Sequence, residues 1–288
     1  MPWTLLLATA LGMFAAAASG AVRSPFLIDM ARDLGSSVPV VANLLSLISV
    51  AWAVSAAFAG PLSDRWGRRP FLIGGPLALG IASVGIARSD GIAELTAWVF
   101  AGGLCCGAYT GPTFAEVSAR VAPSQQGRAL GWVMSGQSLT LLIGVPLAAW
   151  FGASYGWRGV GLGMAGLAWT AALGLALVAA RSAPPAPGSS RRVPAVRAAV
   201  TPAVLRLLAM GVADRMCYGL VVLYFATYLQ MAYGLPLDAV AVPLAVFAVG
   251  NILGTTIGGQ LADRLGHRMA VFAAAMVLSG IVAVALFQ

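Results

Sequence analysis

The chain has 288 residues, of which 60% are hydrophobic and only 9% are charged, whereas about a quarter of an ordinary soluble domain is charged. This composition, with a mean hydropathy of +0.89, excludes a soluble enzyme, a nucleic-acid-binding domain and a disordered protein. The three cysteines, at 105, 106 and 217, all lie in apolar stretches. They are therefore predicted to be small packing residues, not a disulfide framework or a zinc site.

Windows without Asp, Glu, Lys or Arg predict nine membrane spans. About 20 apolar residues cross the ~30 Å hydrocarbon core of a bilayer, and each window has room for one such helix but not comfortably for two. We expect the seventh span to begin near Val204, which would place Asp214 and Arg215 within it. The windows are residues 1–22, 34–63, 70–87, 95–115, 129–157, 159–180, 216–237, 239–262 and 269–288.

The distribution of arginine, the only basic residue besides the single histidine, predicts the orientation. The connections after spans two, four, six and eight hold twelve arginines, and the alternate connections hold only Arg23, Arg32, Arg88 and Arg158. Because cytoplasmic loops carry the excess of basic residues, we expect a cytoplasmic N-terminus and a location in a bacterial-type inner membrane. The net charge of +8 is then a topology signal that faces anionic lipid, not a nucleic-acid-binding surface.

One hydrophilic stretch, residues 182–203, divides the chain. It is rich in Pro, Ser, Gly and Arg and offers little apolar surface for packing, which is typical of a linker. We therefore expect three parts: a six-helix half in residues 1–181, a cytoplasmic linker in 182–203, and three further helices in 204–288.

A repeated motif connects the parts on either side of the linker. The sequence GPLSDRWGRRPFL at 60–72 recurs as GQLADRLGHRMAV at 259–271, at an offset of 199 residues (259 − 60), and the same offset aligns Gly35 with Gly234. Span seven is then the counterpart of span one, so the sequence predicts two homologous halves. The shared residues are Gly60, Leu62, Asp64, Arg65, Gly67 and Arg69, matched by Gly259, Leu261, Asp263, Arg264, Gly266 and Arg268.

The motif G-x-L-x-D-R-x-G-R-R, which is complete at 60–69 and includes Arg68, resembles the signature of the major facilitator superfamily. A looser match, GVPLAAWFGASYGWRG at 144–159, is similar to the drug-efflux-like branch. The resemblance covers the whole chain and implies an all-α membrane protein, a bundle with two six-helix halves. This chain would hold the complete N-terminal half and three helices of the C-terminal half, so we expect it to be truncated after nine spans.

The resemblance implies a secondary active transporter that moves a small molecule by alternating access, with efflux of drugs or metabolites favoured and proton coupling left open. The family's usual arginine in span four is replaced here by Val99, which weakens the case for protons. Two alternatives stay open: a truncated, non-transporting membrane fragment or interaction partner, and an uptake transporter for sugars or other metabolites. No cofactor, metal or enzymatic activity is expected, since the sequence lacks a catalytic triad, a metal-spaced cluster and a phosphate loop.

The resemblance also implies that the two motif loops form a cytoplasmic latch that breaks and reforms during transport. Glycines let neighbouring helices approach closely, and an aspartate can meet a helix N-terminus or an arginine. By this analogy Asp64 faces an eleventh span and Asp263 faces the start of span five. The alternative is simple anchoring by the arginines, which would not require either acid.

Polar residues inside the spans are the candidates for a substrate or proton path, because burying them in a membrane is costly. Asp214, Arg215 and Tyr218 lie in span seven, with an interfacial position as the alternative for the two charges. Arg23 aligns with the middle of span seven and is expected to point into the cavity, with snorkelling to headgroups as its alternative.

Further candidates are Tyr109 in span four and Asn251 in span eight, for which helix packing is the alternative. Glu116 is expected to be exposed at the cytoplasmic interface. Span five is predicted to pack closely and to kink at its small residues and proline, which are Gly131, Gly136, Gly144 and Pro146.

Overall fold

The computed structural model describes residues 2–122, 125–178, 202–250, 253 and 268–286, and every regular element among them is helical. A 3-10 turn (Ser24–Phe26) joins α1 to α2, and a π-helical turn (Thr140–Gly144) joins α6 to α7. The predicted all-α fold class is confirmed. The helices are α1 (Trp3–Ala21), α2 (Leu27–Asp33), α3 (Val38–Trp66), α4 (Arg69–Arg88), α5 (Ile92–Ala119), α6 (Gln126–Leu139), α7 (Val145–Val178), α8 (Pro202–Tyr233), α9 (Ala241–Gly250) and α10 (Arg268–Leu286).

Five helical stretches are long and apolar enough to cross a membrane, and they cover all six windows of the predicted N-terminal half. The last of them has 50 residues, about 75 Å of helix at 1.5 Å per residue, which is enough for two crossings of a ~30 Å core. The five stretches are Trp3–Asp33, Val38–Trp66, Arg69–Arg88, Ile92–Ala119 and Ala129–Val178.

The 50-residue stretch reverses direction at Gly156. This residue has φ 67° and ψ 176°, a conformation that favours glycine because it has no Cβ. Before the turn, Gly152 packs against Phe26 beyond the end of α1, and after it a Cβ at Gly174 would lie 3.8 Å from Ala8 near the start of α1. Predicted spans five and six are therefore two antiparallel helices, joined by a turn of minimal length.

The connection between α1 and α3 is more regular than the sequence predicted. Pro25 lies in the first turn of the 3-10 element, where its missing N–H is tolerated. The short helix α2 follows and buries Leu27, Met30 and Ala31. The charge-free windows placed no helix here, yet the apolar residues of α2 recur at helical spacing and pack into the bundle.

The structure supports the repeat at Gly35 and Gly234, which align at the same offset as the two motif copies. Gly35 and Gly234 both have positive φ, at 58° and 63°. Gly35 follows the end of α2, and Gly234 directly follows α8. The Gly234 amide donates to the Gln230 carbonyl at 3.1 Å. A left-handed residue that ends a helix is usually glycine, so the alignment at an offset of 199 (234 − 35) carries a shared conformation as well as a shared residue.

The described residues form two compact units. The first extends through residue 178 and also contains Val222–Ala245, and within it Ala226 and Val240 join the apolar core around Phe26. The second contains the remaining described residues. Part of the predicted C-terminal half thus packs with the first six spans, and the predicted division into 1–181, 182–203 and 204–288 stays a prediction.

Close helix contacts in the first unit depend on glycine. A Cβ at Gly103 would lie 2.6 Å from the Ile48 carbonyl oxygen, and one at Gly107 would lie 2.7 Å from the Ser55 Cβ. These two glycines bring α5 against α3, and the Ser55 hydroxyl donates to the Leu104 carbonyl across the same contact at 2.7 Å. Small residues that allow such approach are typical of membrane helix pairs.

The predicted kink in span five is present as the π-helical turn Thr140–Gly144, which immediately precedes α7 and its Pro146. The Thr140 hydroxyl donates to the Phe14 carbonyl of α1 at 3.2 Å. A Cβ at Gly136 would lie 3.2 Å from the Ala10 Cα, so close packing is confirmed at this glycine. It is not confirmed at Gly131, where no described atom lies within 4 Å of an added Cβ.

Candidate functional site

The first motif loop is a tight connection between α3 and α4. Helix α3 ends at Trp66, and Gly67 follows with φ 84° and ψ 154°, a conformation that side-chain-bearing residues rarely adopt. Pro70 lies in the first turn of α4, where its fixed φ favours helix initiation. Gly60 has no described atom within 4 Å of an added Cβ, so the close approach expected at that glycine is not present in the described part of the chain.

Four charged side chains, which we call the motif-loop cluster, connect this loop to the end of α5: Asp64, Arg68, Glu116 and Arg120. Arg68 lies 3.5 Å from Asp64 and 3.6 Å from Glu116, and it also donates to the Ala115 carbonyl at 3.0 Å. Arg120 donates from Nε to Oε1 of Glu116 at 2.6 Å. Arg68 is therefore the shared member, in contact with both carboxylates and with the backbone of α5.

Glu116 is the buried centre of the motif-loop cluster. The residue is 3% exposed, so the prediction that it is exposed at the interface is wrong. A buried carboxylate requires compensation by opposite charge and hydrogen bonds, which the two arginines provide. Anchoring by positive charge alone would not explain an acid held inside the bundle between two arginines.

The other arginines of the first motif differ in their contacts. Arg69 donates to the Ala176 carbonyl near the end of α7 at 3.3 Å, and its buried Nε has no partner among the described residues. Arg65 is exposed and makes no ion pair within the described part of the chain. The motif therefore reaches α5 through Arg68 and α7 through Arg69.

The second motif copy lies mostly outside the described residues. This applies to Gly259, Asp263, Arg264 and Gly266, while Arg268 begins α10. The latch role that the family resemblance implies for this copy stays a prediction.

The structure places the candidate path residues of span seven within α8 (Pro202–Tyr233), which begins close to the predicted start. Asp214, Arg215 and Tyr218 all belong to this helix, and their side chains lie outside what the structure describes. Asn251 also lies outside the described residues. Their assignment to a substrate or proton path stays a prediction.

Tyr109 lies in the core of the first unit. It is 1% exposed, and its hydroxyl donates to the Thr9 carbonyl at 2.9 Å. A Cβ at Gly75 would lie 2.8 Å from the Tyr109 Cβ, and Gly12 packs against the phenol ring from the other side. These contacts favour the alternative interpretation of Tyr109, in which it packs helices together and does not line a substrate path.

Arg23 is buried, not extended toward the surface. It directly follows α1 at the start of the 3-10 turn, and it is only 6% exposed. Snorkelling would leave the guanidinium accessible, so the burial favours the alternative in which the side chain points into the bundle.

A second charged group, the distal cluster, joins α2, α7 and the connection after α4: Asp33, Asp90, Trp157 and Arg158. Trp157 and Arg158 donate to Oδ2 of Asp33 at 2.8 and 3.1 Å, and Arg158 also donates to the Ser89 carbonyl at 2.9 Å. Asp90, which is largely exposed, lies 3.6 Å from Arg158. The guanidinium stacks over the Trp157 ring at 4.4 Å.

The two clusters lie at opposite ends of α4, whose 20 residues span about 30 Å. Sequence reasoning missed the distal cluster. Its signal was available, because its charged residues all lie in connections that the arginine count assigns to one side of the membrane. Which of them pair is a question of tertiary structure.

Comparison with known proteins agrees with this architecture. A family model described as Major Facilitator Superfamily matches residues 9–288. The chain is 27% identical over 254 residues to a chloramphenicol resistance protein of Streptomyces lividans, covering 88% of this chain and 65% of that protein. It is 32% identical over 193 residues to a chloramphenicol efflux pump of Mycobacterium tuberculosis, covering 64% of this chain and 45% of that protein.

Among solved structures, the chain is similar to a bacterial homolog of the human lysosomal transporter Spinster in an inward-facing and occupied conformation. The TM-score is 0.72 at 17% identity, over 90% of this chain and 60% of that one, which shows the fold. The chain spans less than two thirds of the length of each of these three proteins. The signature loop is joined to α5 by the Arg68–Glu116 ion pair, and the family model matches nearly the whole length of the chain. The chain belongs to the Major Facilitator Superfamily.

Proposed function

We propose that this chain acts in secondary active transport, exporting a drug-like or metabolite-like small molecule by alternating access. The motif-loop cluster carries this proposal. It joins the end of α3 and the start of α4 to the end of α5 through charge pairs, which can separate and reform without exposing the apolar core.

The strengths of these contacts suit a reversible connection. The Arg68–Asp64 pair is partly solvated, with the side chains 25% and 59% exposed, and such pairs contribute about 0–1 kcal/mol each. The Glu116 carboxylate is almost fully buried and stays compensated by Arg120 of the same helix when Arg68 moves. Breaking the contacts of Arg68 therefore leaves no buried charge without a partner.

The substrate class follows from the two relatives whose names specify a drug. Both are named for chloramphenicol, so this drug is the first substrate to test. We further propose that protons drive the export and that Asp214, an acidic residue within α8, carries them, because an acid inside a membrane span is costly unless it has a function.

The test measures accumulation of radiolabelled chloramphenicol in a drug-sensitive bacterium that expresses the full chain. We expect lower accumulation than with empty vector, with the difference lost when the proton gradient is collapsed. Arg68→Gln should reduce export because it removes the shared member of the motif-loop cluster. The matched control is Arg88→Gln, an exposed arginine at the other end of α4.

Accumulation equal to the vector, with the chain present in the membrane at normal levels, would refute the transport proposal and favour the non-transporting alternative. Higher accumulation than the vector would instead favour uptake. Equal export by the two arginine variants would remove the motif-loop cluster from the mechanism.

A further inference from the structure

Arg23 is a buried cation with no acidic partner among the described residues. It is 6% exposed, and no described carboxylate lies within the 4.0 Å that defines an ion pair. An unpaired charge inside a membrane protein is costly and typically marks a functional site. Four other arginines of the described part of the chain have acidic partners, namely Arg32, Arg68, Arg120 and Arg158, whereas Arg65 and Arg88, which have none, are exposed.

The backbone directs the Arg23 side chain toward the inside of the bundle. Helical φ and ψ continue past the end of α1 to Arg23, at −86° and −15°, and side chains on a helix lean toward its N-terminus. The guanidinium therefore extends along the turn that contains Ser19. That serine is buried and lies 3.4 Å from the Cys106 Sγ of α5, so this side of α1 faces the interior.

A second polar group in the same unit also lacks a partner. The hydroxyl of Thr227 in α8 is buried and makes no hydrogen bond. Threonines in membrane helices normally donate to the carbonyl one turn earlier, and four others in this chain do so at 2.6–2.8 Å. The hydroxyl of Thr227 is thus a free donor, whereas those other threonine hydroxyls donate to a carbonyl of their own helix.

A hydrogen bond brings these two groups into one region. Gln230 of α8 donates from its side chain to the Pro25 carbonyl at 2.9 Å. Pro25 is two residues after Arg23, and Thr227 is three residues before Gln230, which places it on the same face of α8. Each donor therefore lies within one helical turn of the Gln230–Pro25 contact, on the N-terminal side of it in its own chain segment.

We propose that Arg23 and Thr227 bind the carboxylate of an apolar small molecule, a second transported class beside the uncharged chloramphenicol of the transport test; this inference rests on the proposed transport function. A guanidinium presents a fork of N–H donors and no acceptor, which matches a carboxylate, and the threonine hydroxyl supplies a further donor. The surrounding side chains of α8, including Leu223, Tyr224 and Phe225, are apolar or aromatic and suit an apolar body.

Binding is measured on the full chain purified into nanodiscs of phosphatidylcholine only, so that no anionic headgroup competes for Arg23. The probes are arylalkanoates from phenylacetate to 6-phenylhexanoate, each compared with its neutral primary amide. We expect the carboxylates to bind and the amides to bind more weakly. A charged hydrogen bond contributes about 1.5–3 kcal/mol, so Arg23→Gln should weaken carboxylate binding roughly 10- to 100-fold.

Three further variants separate recognition from folding. Arg23→Lys keeps the charge and should retain part of the carboxylate preference. Thr227→Val keeps the shape of the side chain and should weaken carboxylate binding about 2- to 10-fold without lowering the melting temperature. The matched control is Arg32→Gln, an exposed arginine on α2, which should bind as the unchanged chain does.

Equal binding of carboxylates and amides by the unchanged chain would overturn the inference, and so would equal carboxylate binding by Arg23→Gln. A carboxylate preference that disappears when a small fraction of anionic lipid is added would assign Arg23 to a headgroup and would also overturn it. Chloramphenicol accumulation in cells tests the transport proposal separately. Export of a bound arylalkanoate at the same rate by the Arg23 variants removes only the inference, whereas no export of any compound removes the transport proposal.

Discussion

Gly103→Ala is expected to destabilise the contact between α3 and α5. A Cβ at this position would lie 2.6 Å from the Ile48 carbonyl oxygen and 2.7 Å from the Ala51 Cβ. Neither atom belongs to a flexible side-chain end, so the two helices must move apart to accept one methyl group. Overpacking of this kind costs about 1–3 kcal/mol, partly offset by the helix propensity of alanine, which exceeds that of glycine by about 1 kcal/mol.

The same helix provides a control that isolates the steric cost. At Gly111 the nearest atom to an added Cβ is the Ala56 carbonyl oxygen at 4.0 Å, so Gly111→Ala gains helix propensity without a clash. Because both variants replace glycine by alanine in α5, the propensity term cancels, and the difference between them is the clash of about 1–3 kcal/mol. Each kcal/mol corresponds to about 2–4 °C in melting temperature for a chain of roughly this size.

The assay is thermal unfolding in nanodiscs, followed by tryptophan fluorescence, with the two variants measured side by side. We expect Gly103→Ala to unfold several degrees below Gly111→Ala. If the two variants unfold at the same temperature, the close approach of α3 and α5 at Gly103 is refuted as a determinant of stability.

Three further predictions concern the distal cluster, the proton path and the orientation. Asp33→Ala should lower the free energy of unfolding by about 1 kcal/mol more than Asp29→Ala does. The two side chains are similarly exposed, at 44% and 43%, but only Asp33 accepts two short hydrogen bonds. Equal melting temperatures of the two variants would contradict this prediction. Asp214→Asn should abolish proton-linked export while the chain still inserts, and unchanged export at every pH would return this acid to an interfacial role. A topology reporter should be cytoplasmic at Ser189 and external at Gly35; the reverse result would overturn the orientation.

The apolar spans were the part of the fold that the sequence predicted best. Lipid requires a long uncharged run whatever the neighbouring helices are, so the window at 70–87 matches α4 at Arg69–Arg88 almost residue for residue. Helix α2 was missed because it is short and carries charges, and its stability comes from packing against the bundle. The reversal at Gly156 falls inside the fifth window, two residues before Arg158, which separates the fifth window from the sixth, and nothing in the sequence specified the conformation of that glycine.

The candidate site was predictable in composition but not in its connections. The motif identified Asp64 and Arg68, yet the contact of Arg68 with Glu116 joins residues nearly fifty positions apart and depends on how α5 packs. Glu116 was assigned to the surface because a lone acid near a span end usually lies there. Its burial requires Arg120 one turn later on the same helix and Arg68 from the loop before α4, and no local pattern reveals the second contact.

The hydrogen bonds from arginines to backbone carbonyls near helix C-termini have a consequence for biogenesis. Arg68, Arg69 and Arg158 each donate to such a carbonyl, where a cation also complements the helix dipole. During insertion these side chains act only as charges, which lysine would supply equally well. In the folded protein they act as forked donors, which lysine cannot imitate. Replacing all three by lysine should therefore leave the membrane orientation of the spans unchanged while destabilising the folded bundle. Membrane topology and tertiary assembly would then be separable events.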